Sequence, residues 1–265
     1  MYTYKRVALI GVDGAGSFFR QAETPNIDRI FADGSVAYDT YTSIPSISAE
    51  CWGSMLHGVT PDLHRLSNGV ASSVSYDPES PFPSVFRIIR ENDPDCELAS
   101  FCNWNPINYG IVDDPATHQD TGHDEALTER ICAYIREEKP EFLFVQFDSV
   151  DHAGHAFGYG SEKHLEQIDV CDGLTAKIYE AARDAGILED ALFMVTADHG
   201  GFDHGHGGTT DEEKLVFFAA VGKTVVKGAD LSMEVKDIPA IVTHALGVPD
   251  GETWQAKLPE GLFSE

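Results

Sequence analysis

The densest chemistry in this sequence lies in Asp198-His199-Gly200-Gly201-Phe202-Asp203-His204-Gly205-His206-Gly207-Gly208. Two carboxylates and three imidazoles stand between Asp198 and His206, and the interleaved glycines let the backbone fold closely around a bound ion. No cysteine is present in the stretch, so its donors are oxygen and nitrogen, a set that suits zinc or manganese at a catalytic centre with an open position. A His- and Gly-rich surface loop is the bland alternative, and three other stretches weigh against it. Asp151 and His155 are spaced four apart, within reach of one ion from a single helical turn, while their neighbours Asp148 and His152 read as supporting or solvent-facing groups. Asp13 directly follows an apolar run. Ser46 and Ser48 follow Pro45 at an expected helix start, where a serine either caps the helix or, acidified by a metal, becomes an alkoxide with backbone N–H groups ready for a phosphoryl oxygen.

Each of these groups sits where a strand should end. Arg6–Val12, Phe142–Phe147 and Ala191–Val195 are short apolar runs that read as buried strands, the first of them parallel, and Leu215–Val221 reads as another buried strand. Their carboxyl ends would bring Asp13, Asp151 with His155, and Asp198 through His206 to one edge of an open α/β sheet, where such sheets keep their ligands. Val36–Thr42 reads as extended. Helices are predicted over Thr24–Ala32, with Thr24 as N-cap, after Pro45 with Trp52, Met55 and Leu56 on its apolar side, and over Asp124–Glu138, His164–Ala185 and Ile238–Leu246. The glycines after Asp13 have neither the dinucleotide-binding spacing nor a P-loop lysine. The expected fold is α/β, a three-layer αβα sandwich with a largely parallel central sheet, forming one domain over residues 1–265. Residues 66–122 differ in texture, rich in Ser, Asn, Asp and Pro and broken by amphipathic Val85–Arg90 and strand-like Glu97–Phe101. They read as a small lid or a surface excursion, with 103–122 as loop and Trp104 and Tyr109 as exposed aromatics.

The chain has 265 residues, and its 42% hydrophobic content is enough for a substantial core. Against 18 basic residues stand 44 acidic ones, a formal charge of −26 that repels nucleic-acid polymers and anionic membrane surfaces. The 5 cysteines are scattered without CxxC spacing, which suggests buried apolar residues rather than disulfides or a thiolate metal site. No segment has the length of a signal peptide's apolar region or a membrane span, and a reduced cytoplasmic setting is expected. Six Asp and His donors divide naturally between two ions, and two divalent ions roughly 4 Å apart clamp the attacking and departing oxygens of a phosphoryl group.

Five blocks in order resemble the alkaline phosphatase superfamily, most closely its nucleotide pyrophosphatase/phosphodiesterase branch. They are Gly11-Val12-Asp13-Gly14; Thr24-Pro25-Asn26-Ile27-Asp28-Arg29; Ser48 to Gly58 with Pro61 and His64; Asp151-His152-Ala153-Gly154-His155; and Thr196-Ala197-Asp198-His199-Gly200 with His206-Gly207-Gly208. The resemblance implies that Asp13, Asp198 and His199 hold the metal that activates the nucleophile, and that Asp151, His155 and His206 hold the metal that receives substrate. It selects His206 over His204, which competes for the last position, and Ser48 as the nucleophile that forms a covalent phospho-enzyme. Asn68 falls near the family position that hydrogen-bonds a phosphoryl oxygen. Two departures are visible: the family's Asn three residues after the nucleophile is Cys51 here, and Ser48 is followed by Ala49 and Glu50 rather than the Pro and Arg of the sulfatase branch. The implied activity is hydrolysis of a small-molecule phosphate ester or nucleotide by two divalent ions, zinc or manganese, with a nucleotide-type phosphodiester favoured. A phosphomonoesterase or phosphonate hydrolase on the same scaffold, and a metal-binding protein without turnover, are the alternatives; an interaction module built on 66–115 is a third.

Overall fold

The computed structural model describes residues 4–115 and 117–264. Seven strands form one sheet: β1 (Arg6–Val12), β2 (Ser35–Tyr41), β3 (Leu98–Cys102), β4 (His118–Thr121), β5 (Phe142–Phe147), β6 (Ala191–Thr196) and β7 (Leu215–Val221). Their order is β2-β7-β6-β1-β5-β3-β4. β1 runs parallel to β5 on one side and β6 on the other, β3 and β4 continue the parallel run, and β7 is antiparallel to both β6 and β2. β3, β5 and β6 are buried along their whole length, as continuous apolar strands must be when helices cover both faces. The three-layer α/β arrangement and its largely parallel sheet are as the sequence predicts.

Helices Pro25–Ile30, Asp124–Glu137 and Ser149–Phe157 pack on the long helix Glu162–Asp184, while Ser48–His57, Val85–Asn92 and Ile238–Leu246 pack on one another. Thr24 occupies the cap position of the first helix, but its side chain caps nothing. Asp172, buried on the long helix, does so instead: its carboxylate accepts from Ile27 N at 2.7 Å and from Asn26 N and Nδ2 at 3.2 and 2.6 Å. A capping contact of this kind stabilises a helix by about 0.5–2 kcal/mol, and here it also fastens two helices together.

The region from 66 to 122 is more integrated than its composition suggests. Residues 103–122, read as loop, contain the short helix Pro106–Gly110 and β4. β4 consists of His, Gln, Asp and Thr, with no apolar alternation to announce it, and it is an edge strand held by its parallel pairing with β3. Tyr109 is exposed as expected, whereas Trp104 is partly buried against the core. All five cysteines are free and buried.

One glycine fits the Ser48–His57 helix to the sheet. Gly11 lies opposite Gln146 and Thr196 in the centre of the sheet, and a Cβ added there would stand 2.3 Å from Trp52 Cη2. The fully buried Trp52 indole occupies the space that a side chain would need. Gly11→Ala should therefore cost about 1–3 kcal/mol and lower the melting temperature by several degrees. Gly173→Ala, mid-helix with open space around its Cβ, should be neutral or stabilising. Equal melting temperatures for the two variants would contradict this packing.

Candidate active site

The carboxyl ends of β1, β5 and β6 bring two clusters of ionisable groups together. In the first, one atom from each of Asp13, Asp198 and His199 lies within 4.8 Å of the others; the second gathers Asp151, His155 and His206 to the same tolerance. All six residues named from the sequence are thus paired off three and three. His204 stays outside both clusters among the described residues. Its ring Nδ1 faces His155 O at 3.1 Å, while His155 Nδ1 faces His204 O at 2.9 Å, a reciprocal clasp between the helix and the loop.

Asp13 is the first residue beyond β1. Its Oδ2 accepts from Trp52 Nε1 at 2.8 Å and Gln146 Nε2 at 2.9 Å, but its buried Oδ1 has no hydrogen-bond partner. Asp198 repeats the pattern: Oδ1 accepts from Gly14 N at 3.1 Å and His199 N at 2.8 Å, and Oδ2 is buried without a partner. His199 Nε2 lies 3.4 Å from Asp13 Oδ1 and 3.3 Å from Asp198 Oδ2. Burial raises the pKa of both carboxyls well above the ordinary range, with repulsion from Asp198 and Asp151 adding to it at Asp13 and repulsion from Asp151 adding to it at Asp198. Burial also depresses His199 to about 3, with His206 adding to the effect. Burial alone would raise Asp151, yet the hydrogen bond from His155, the nearby His199 and the hydroxyl of Tyr159 outweigh it and hold that carboxylate low. His155 in turn is pushed up to about 9, chiefly by its contact with Asp151.

These groups have the features of a cation site. Each imidazole of the two clusters directs Nδ1 at a backbone carbonyl: His155 at His204 O, His199 at Gly200 O at 2.8 Å, and His206 at Ser46 O at 2.7 Å. Those carbonyls hold a proton on Nδ1 and turn three Nε2 atoms inward, as ligating histidines are held; His155, protonated against Asp151, would give up its Nε2 proton to a bound cation. A buried carboxylate oxygen without a donor is costly, and a divalent cation is a partner that would satisfy Asp13 Oδ1, Asp198 Oδ2 and the His199 Nε2 lone pair at once.

Ser48 opens the Ser48–His57 helix, buried, with Oγ 3.2 Å from His199 Nε2. Neither serine caps this helix: Ile47 occupies the cap position, and Ser46 Oγ instead donates to Gly208 O at 3.1 Å and accepts from Gly207 N at 3.0 Å. Asn68 begins its own short helix, with Oδ1 accepting from Ala49 N at 2.9 Å. That contact occupies its Oδ1 and turns the Nδ2 donors away from Ala49. Asp148 is buried and bonded to Gln146 Nε2 at 3.0 Å, and the exposed His152 pairs with it at 3.1 Å.

Several contributors were not foreseen. Gln146, near the end of β5, donates to both Asp13 and Asp148 through one amide nitrogen and accepts from Trp104 N at 2.9 Å. Asp124 accepts from the N–H groups of Asp148 at 3.2 Å and Ser149 at 3.1 Å, tying down the start of the helix that carries Asp151 and His155. Tyr159 donates to Asp151 Oδ1 at 2.5 Å. The only signal for Gln146 was its polarity inside an otherwise apolar strand.

The sequence pattern of the family described as type I phosphodiesterase / nucleotide pyrophosphatase matches residues 7–105 and 99–206. The chain is 30% identical over 245 residues to GPI ethanolamine phosphate transferase 2 of Aspergillus fumigatus; the match takes in 87% of this chain but spans only 32% of that protein. Murine ectonucleotide pyrophosphatase/phosphodiesterase 5, in an inactive form in complex with AMP, shares the fold with a TM-score of 0.75 at 12% identity, over 96% of this chain and 97% of that one. A 2-O GAG sulfatase gives 0.76 at 13% identity over 96% and 73% of the two chains. The lipoteichoic acid synthase LtaP of Listeria monocytogenes gives 0.72 at 14% over 94% and 74%.

The electrostatics of the first cluster yield a sign. A carboxyl whose folded pKa is raised loses stability as pH climbs from the unfolded value, about 4, toward the folded one. Asp198→Asn removes one of these buried charges. At neutral pH the metal-free variant should melt higher than the metal-free native protein, yet gain less from added zinc. The native protein should gain about 2.7 kcal/mol at a zinc concentration 100 times Kd. Thermal melts with chelator and with zinc measure both effects; a variant that melts lower without metal and gains as much with it would contradict the assignment.

Proposed function

We propose, given that this chain belongs to the type I phosphodiesterase/nucleotide pyrophosphatase family, that it hydrolyses small-molecule phosphate esters or diphosphates through Ser48 and two divalent ions, with nucleotide-type phosphodiesters preferred to monoesters. The observation that carries this reading is the pair of orphaned carboxylate oxygens, Asp13 Oδ1 and Asp198 Oδ2, buried against His199 Nε2 with Ser48 Oγ 3.2 Å from the same nitrogen. Asp13, Asp198 and His199 would hold the ion beside the nucleophile, and Asp151, His155 and His206 the second. Zinc suits the donors best, with manganese as the alternative. When bound, the ions supply positive charge that acidifies a hydroxyl and neutralises phosphoryl oxygens.

The chain's own residues do the rest. Ser48 Oγ releases its proton to solvent and attacks phosphorus, the bond from phosphorus to the leaving oxygen breaks, and the leaving group takes up a proton from water. Asn68 is held by Ala49 N–H with its Nδ2 donors free, ready to bind a phosphoryl oxygen as negative charge accumulates. Water then attacks the phosphorus of phospho-Ser48, the Oγ–phosphorus bond breaks, and Ser48 recovers its proton. The murine relative crystallised with AMP supports a nucleotide-type substrate.

A second reading, phosphoryl transfer, is favoured by the 30% identical ethanolamine phosphate transferase. An alcohol would then replace water in the second half-reaction, and the first half would be unchanged.

Hydrolysis of a nitrophenyl phosphodiester and a nitrophenyl phosphomonoester by chelated protein, before and after zinc, tests the reading. Turnover should require metal and favour the diester. Ser48→Ala should lower kcat by at least about 10³-fold while two equivalents of metal remain bound, and Asn68→Ala should lower it about 10²-fold. Full turnover by Ser48→Ala would exclude Ser48 as nucleophile. A nitrophenyl burst followed by alkyl phosphate formation in the presence of an alcohol would favour transfer.

A further inference from the structure

Tyr159 stands between the two ligand-bearing stretches and touches both. Its backbone N–H donates to Asp203 O at 2.7 Å, inside the His-rich loop. Its ring fills the gap between the helix Ser149–Phe157 and that loop. A Cβ added at Gly154 would lie 2.5 Å from Tyr159 Cε1, and one added at Gly201 would lie 2.4 Å from Tyr159 Cγ. The ring also meets His155 at a centroid distance of 5.7 Å and His206 at 6.2 Å, both edge-on. Its hydroxyl ends on Asp151 Oδ1 at 2.5 Å, and Asp151 Oδ2 is 3.3 Å from His155 Nε2.

We infer that Tyr159 is a positioning residue for the second metal site: its hydroxyl orients the Asp151 carboxylate, and its ring sets the spacing between the Asp151–His155 helix turn and the loop that brings His206. Packing alone accounts for the ring. It does not account for a phenol hydroxyl aimed at a candidate ligand oxygen, where the carboxylate can only accept and the phenol must donate. With Oδ1 engaged by Tyr159, Oδ2 is the oxygen left facing His155. The glycines of two separate motifs, Asp-His-Ala-Gly-His and Asp-His-Gly-Gly, have one shared physical reason in this ring.

This inference rests on the two-ion reading above, and its test separates the two. Metal-free native protein, Tyr159→Phe, His155→Ala and Asp198→Asn are titrated with zinc against a chromophoric chelator. The native protein should bind two equivalents, one weakened by His155→Ala and the other by Asp198→Asn. Tyr159→Phe keeps the ring and loses only the hydroxyl. It should weaken the His155-dependent equivalent about 10- to 100-fold, the usual cost of losing a ligand's supporting hydrogen bond, and leave the other unchanged. Combined with Asp151→Asn, it should add little further loss, because the hydroxyl acts through that carboxylate. Unchanged affinities in Tyr159→Phe, or full additivity with Asp151→Asn, would overturn the role of Tyr159 while the two-ion reading stood. A native protein that bound no stoichiometric zinc would overturn the two-ion reading itself. Unchanged melting of the metal-free Tyr159→Phe protein shows that the comparison is between folded proteins.

Discussion

Asp13 and Asp198, both buried, offer oxygens within 4.8 Å of each other. Two negative charges at that separation repel by roughly 3–4 kcal/mol at the effective dielectric of a protein, before the cost of removing each from water. Neighbouring side chains relieve only part of this. Trp52 and Gln146 satisfy one oxygen of Asp13, and backbone N–H groups satisfy one oxygen of Asp198, so that a single lone oxygen of each remains facing His199. The repulsion is arranged rather than removed, which is how a protein stores affinity for a cation. The surrounding scaffold holds these groups against the force that would part them.

That scaffold works through the sheet and the elements leaving it. The parallel trio β5-β1-β6 sets the lateral spacing of Asp13, the Asp148 turn and Asp198. Gly11 admits Trp52, so the helix that starts at Ser48 lies close enough for its indole to reach Asp13. Asp124 fixes the helix carrying Asp151 and His155, and Ser46 O and Ser46 Oγ hold His206 and Gly207 beside the start of the Ser48 helix. Every donor is therefore held from behind by a group that carries no reaction of its own.

What the sequence reveals depends on the range of the interaction that carries it. β5 and β6 are continuous apolar runs, and the Asp–His spacings at 151–155 and 198–199 are local, so both were readable from single stretches. Assigning six candidate ligands to two ions, and choosing His206 over His204, came from resemblance to a family; in the structure His206 stands with Asp151 and His155, its ring turned by the carbonyl of Ser46, 160 residues away. β4 escaped because an edge strand needs no apolar pattern. Asp172, Gln146, Asp124 and Tyr159 escaped because each acts on a partner that only the fold brings near, and an isolated Asp or Tyr gives no sign of what it will meet.

The wide sequence spacing of the site has a consequence for biosynthesis. Asp198 is bonded to the backbone of Gly14 across 184 residues, and His206 lies beyond that. A chain emerging from the ribosome displays Asp13 first and must complete β5, its following helix and β6 before any ion finds a full set of donors. Such long loops close slowly, and partial donor sets bind weakly. The complete donor set therefore exists only once the sheet has formed. A prematurely terminated or internally nicked chain would expose its acidic strand ends without the residues that close around them.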